Sequence, residues 1–156
     1  MRVERTIVLP VRRDEAWEVL VDWERQATWM VDADRVDVTS PHREGEGVTL
    51  AVRTRVLGVP AFTEPIQVVV WDPPRLLAVR HGGPVSGTGT WSLDGVEGGT
   101  RFRWSEELRL AAPVVGGFVA TLYAPVLGLL MDRAMEGLRR YVIAAGPGGT
   151  VPGHRP

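Results

Sequence analysis

The chain has 156 residues, 44% hydrophobic and 24% charged, with a net charge of −1. This is the profile of one globular domain able to bury roughly two thirds of its unfolded surface, and it excludes wholesale disorder and collagen-like repetition. Balanced charge argues against nucleic acid as principal partner. All 18 Lys-plus-Arg positions are Arg, and the absence of Cys removes disulfides, thiolate nucleophiles and zinc–thiolate sites. The opening MRVERTIVLP has too short an apolar run for a signal-peptide core, which leaves a cytoplasmic location as the expectation.

In chain order, Val3 to Val11 reads as a strand rich in β-branched residues and closed by Pro10. Arg13 to Val21 follows as a short helix with Ala16, Trp17, Leu20 and Val21 on one face, and Asp22 opens a second helical piece running to Met30. From there the pattern turns to strands: Arg35–Ser40, Val48–Leu57, Phe62–Trp71, Leu76–His81, Thr88–Asp94 and Arg101–Leu110. Val48–Leu57 alternates cleanly, with Val48, Leu50, Val52, Thr54 and Val56 on one side and Arg53 and Arg55 on the other. Pro65 implies an edge position or a bulge, because proline cannot donate to a ladder. Connections this short make hairpins, hence one antiparallel sheet of about seven strands that curls.

Val114 to Ala145 reads as helix, with a stripe of Phe118, Leu122, Val126, Leu129 or Leu130, Ala134, Leu138 and Tyr141 or Val142. Pro125 is expected to kink or break it. No charge falls between Arg109 and Asp132, a run long enough for a membrane span. Pro113, Pro125, Gly116, Gly117, Gly128 and Thr121 weigh against one. The favoured reading is a helix half-buried on the sheet, with transient membrane-surface contact during ligand exchange kept open. Residues 1–145 thus form one domain and 146–156 read as a disordered tail.

The concave face of a curled sheet can be closed by one helix about ten ångströms wide but not filled by it, so a cavity is expected. The pieces W-E-V-L-V-D-W-E-R-Q-A-T-W-M (17–30), W-D-P-P-R-L-L (71–77), G-T-G-T-W-S-L (87–93) and G-G-T-R-F-R-W (98–104), with the apolar end helix, resemble the START-related helix-grip superfamily (SRPBCC) in order and spacing. The chain departs from that pattern at Ala27-Thr28, where many relatives carry a Pro before the Trp. The resemblance implies an α+β helix-grip fold and a cavity for a small hydrophobic molecule such as a lipid, polyketide or quinone. Members include carriers and polyketide aromatase/cyclases, so the fold alone does not choose the function.

On the last strand Phe102, Trp104, Glu106, Leu108 and Leu110 share a face, and the apolar face must be the concave one. Glu106 then points inward among aromatics, where desolvation favours a carboxyl's neutral form and the group can act as acid, base or polar anchor. The bland alternative pairs it with an Arg such as Arg80. Of the neighbours Arg80 and His81 only one can face inward, and Leu76/Ala78 against Leu77/Val79 do not decide which. Glu106 and Arg80 are therefore the catalytic candidates. Trp29, Trp91, Trp104, Glu106, Phe118, Tyr123, Met131 and Met135 are the expected ligand contacts, whereas Trp17 and Trp23 are assigned to structure. His42, His81 and His154 are scattered, so neither a metal site nor a cofactor is expected. The glycines of G-T-G-T (87–90) precede a strand rather than a helix and are read as letting it bend. A ligand carrier leads this reading, ahead of a polyketide cyclase/dehydratase-type enzyme and a protein-interaction module; oligomeric state is left open.

Overall fold

A computed structural model of the chain describes residues 1–56, 58–83, 85–110 and 116–145, without the side chains of Val56, Leu110 and 116–122. The expected tail, 146–156, lies outside the described residues. Seven strands form one antiparallel sheet: β1 (Arg2–Leu9), β2 (Ala33–Val38), β3 (Thr49–Val56), β4 (Val59–Asp72), β5 (Leu76–His81), β6 (Val85–Val96) and β7 (Gly99–Leu110). Their order is β1-β7-β6-β5-β4-β3-β2, so every neighbour is a hairpin partner except β1, which returns beside β7. The sheet curves around a C-terminal helix, α3 (Gly116–Ala145), while α1 (Arg13–Val21) packs on β6 and β7 and α2 (Gln26–Trp29) on β2 and α3.

The alternation of β7 positions the interior. Phe102, Trp104, Glu106 and Leu108 are all buried, while Arg101, Arg103, Glu107 and Arg109 are exposed. Pro65 is not on an edge strand, since β4 lies between β3 and β5. It is tolerated because β5 ends there: Ile66 pairs with His81, the last rung, and the Pro65 carbonyl takes a bond from Gly82 beyond the strand. A strand residue's N–H and C=O point to the same neighbour, so the missing proline donor falls just past the end of β5, opposite Gly82, where the ladder has already stopped.

Pro125 does not break α3, which runs through it as one helix. Its ring is on the exposed side, where water can serve the carbonyl deprived of a partner. The buried stripe is Leu127, Met131, Ala134, Met135, Leu138 and Val142. Ala134, Leu138 and Val142 keep the inward places the sequence pattern gives them, and of the alternatives Leu129 and Leu130 it is Leu130 that faces the cavity, but Val126 is 49% exposed. Gly137 seats α3 on α2: a Cβ there would stand 2.6 Å from the Trp29 carbonyl oxygen. Among the described residues no helix is long and apolar enough to cross a membrane.

Candidate functional site

A cavity of about 110 Å³ lies between the sheet and α3. Six strands contribute to its wall, β1 being the exception, and α3 closes it with Tyr123, Leu127, Leu130 and Met131. Most of the wall is apolar: Leu50 and Val52 from β3, Ile66 from β4, Leu77 and Val79 from β5. Trp91 and Trp104 face each other across the β6–β7 pairing with ring centroids 5.7 Å apart and planes at 81°, the edge-to-face geometry that aromatic quadrupoles prefer.

One region of this wall is polar. The Trp104 indole N–H donates to Glu106 Oε1 at 2.6 Å, which orients the carboxylate. Glu106 Oε2 lies 3.2 Å from His81 Nε2, and His81 Nδ1 lies 3.6 Å from Glu64 Oε2. None of Oε2, Nε2 and Nδ1 makes an aligned hydrogen bond, so these contacts are ionic. The three side chains come from β7, β5 and β4, and Gly89 lets two of them meet. It sits opposite Glu106 on the intervening β6, and a Cβ there would stand 2.7 Å from Glu106 Oε1 and 3.0 Å from His81 Nε2. The G-T-G-T glycines thus lie within β6 rather than ahead of it, and Gly89 leaves space for a side-chain pair.

Burial works against a charged His81, but the carboxylates of Glu106 and Glu64 outweigh it and push its pKa up to about 10. At neutral pH His81 is therefore an imidazolium flanked by carboxylates on both nitrogens. Asp32, in the turn before β2, adds a third carboxyl to the wall. Burial raises its pKa, and the nearby charges of Glu64 and Glu106 act in the same direction. Burial and the fields of Asp32 and Glu64 also raise the Tyr123 hydroxyl, which stays protonated.

Of the expected ligand contacts, Trp91, Trp104, Glu106, Tyr123 and Met131 line the cavity. Trp29 is buried but lies against Trp91, and Met135 is buried in the core; neither lines the cavity. The Phe118 side chain lies outside the described residues. Arg80 is corrected outright: it is exposed on the convex face, and alternation along β5 turns Leu77, Val79 and His81 inward instead. Glu64 and Asp32 were missed. The signal for Glu64 was present, since it alternates with Phe62 and Ile66; Asp32, in a turn, has no periodicity to reveal it.

The model of the family described as polyketide cyclase / dehydrase and lipid transport matches residues 1–142, and the chain belongs to that family. No curated protein matches the chain. Among solved structures, TTHA0849 from Thermus thermophilus is similar with a TM-score of 0.79 at 18% identity, covering 94% of this chain and 99% of that one. A START superfamily protein from Mycobacterium smegmatis gives 0.69 at 14%, covering 90% and 97%. The Zhui aromatase/cyclase from Streptomyces sp. R1128 gives 0.64 at 20%, covering 94% and 98%. At these identities the likenesses establish the helix-grip fold and nothing finer.

Proposed function

We propose that the protein binds a small hydrophobic molecule in the cavity between sheet and α3. The observation that carries this reading is an apolar, aromatic-walled space that the core leaves unfilled, in a family described as polyketide cyclase / dehydrase and lipid transport. Its volume sets the scale of the ligand. An apolar cavity of about 150 Å³ accommodates benzene, so the space of about 110 Å³ matches one ring-sized body. A long acyl or poly-keto chain requires α3 to move outward. The test is NMR titration with benzyl alcohol. Shifts are expected at the Trp91 and Trp104 indoles, and Val79→Phe, which fills the space, should abolish them. Shifts confined to other tryptophans, or shifts that survive Val79→Phe, would refute the assignment.

A second reading, proton transfer of the cyclase/dehydratase type, is supported by the His81–Glu106–Glu64 constellation beside Tyr123, since acid–base work needs paired titratable groups facing the ligand. It predicts that Glu106→Gln and His81→Gln abolish turnover of a poly-keto substrate while leaving the fold intact. Product distributions unchanged in both variants would remove it.

A further inference from the structure

The polar groups of the cavity carry an unequal charge. Among the described residues Asp32 from the turn before β2, Glu64 from β4 and Glu106 from β7 stand against one cation, His81 from β5, and the polar group that α3 adds is the neutral hydroxyl of Tyr123. Among the described residues no Arg lines the space. Both nitrogens of His81 face carboxylates, at 3.2 and 3.6 Å, which offset its charge towards an incoming anion. Glu106 has a side chain only 7% exposed, and its Oε2, beside the cavity and 3.2 Å from His81 Nε2, accepts no aligned hydrogen bond. A buried carboxylate oxygen without a donor is costly and is satisfied by a ligand that brings one. Beside it stand Trp91 and Trp104, aromatic rings whose faces attract cations.

Building on the ligand-binding reading, we propose that the cavity selects by charge: it takes a ring-sized apolar molecule bearing a protonated amine and refuses a carboxylate of the same shape. The ammonium would donate to Glu106 Oε2, while the hydrocarbon body occupies the Leu50–Val52–Leu77 wall. An anion would meet carboxylates in a low-dielectric space, where like charges repel strongly. This separates the protein from carriers of fatty acids and of phosphorylated or carboxylated intermediates.

The experiment compares benzylamine, benzyl alcohol and benzoate on the full chain at pH 7 and low salt, following the Trp91 and Trp104 indole resonances. Benzylamine should bind at least about tenfold more tightly than benzoate, with benzyl alcohol between them. The double variant Glu64→Gln/Glu106→Gln should shrink the amine-to-benzoate ratio severalfold. If benzyl alcohol binds but benzoate equals or exceeds benzylamine, charge selection is wrong and the cavity reading stands. A ratio unmoved by the double variant also overturns it. Should none of the three probes bind, the cavity reading falls and takes selection with it.

Discussion

The molecule holds two tryptophan clusters that differ in how their polar atoms are met. In the first, Trp17 meets Trp71 edge-on at 5.1 Å, Trp23 meets Trp71 at 6.2 Å, and the Trp23 N–H donates to the Arg43 carbonyl at 2.9 Å. Gln26 in the same corner donates to the Leu20 carbonyl at 2.8 Å. The second cluster joins Trp29, Trp91, Phe102 and Trp104. There the Trp104 N–H is bonded, but that of Trp29 is buried without a partner, as are three atoms of the neighbouring His81–Glu106 pair. Stability favours full pairing, since each buried polar atom left unmet is destabilising. Trp23 and Gln26 also line the cavity, so Trp23 is not confined to the structural part the sequence assigns it. The contrast is that the first cluster's polar atoms are met by the backbone, whereas the second tolerates loose ends beside the same space.

The contrast can be broken most forcefully at Trp23. Trp23→Ala removes a residue that is 2% exposed and should cost about 3–5 kcal/mol in urea unfolding. A loss under about 1 kcal/mol would show that the first cluster is not structural. Next in size is a pH effect. His81 is raised from 6.5 to about 10 in the fold, so its contribution is complete below pH 6.5 and fades as pH rises towards 10. Stability should therefore fall by a few kcal/mol over that range in the wild type, and His81→Gln should flatten the slope. A subtler comparison sets Trp23→Phe against Trp29→Phe. The first loses a hydrogen bond and the second removes an unmet donor, so Trp23→Phe should be the more destabilising by about 1 kcal/mol. Smallest is Arg80→Ala, on the convex face, expected within about 0.5 kcal/mol of wild type and without effect on benzyl alcohol binding.

Much of the fold was legible because strand alternation and turn chemistry act locally. Leu76–His81 and Arg13–Val21 have the same bounds in sequence and structure, each being fenced by proline, glycine or charge. The inward face of β7 followed from Phe102 and Trp104. The site was harder to read for physical reasons. Apolar residues lie on both faces of β5, with Ala78 7% and Leu77 2% exposed, so no pattern separated Arg80 from His81. The meeting of His81 with Glu106 depends on a missing side chain on the strand between them, at Gly89, and absence leaves no periodic trace. The α3 stripe was misplaced near Pro125 because aliphatic residues there occur on all sides of the helix.

The arrangement of strands also bears on what can pair with the sheet's borders. Because the sheet runs from β1 to β2 without closing, two rows of backbone donors and acceptors remain at its rims. Those rims are studded with Arg2, Glu4 and Arg5 on one side and Asp34, Arg35 and Asp37 on the other. A third party seeking to extend the sheet must desolvate these ions strand by strand. Crowded solutions of the protein should accordingly resist fibril growth through the borders.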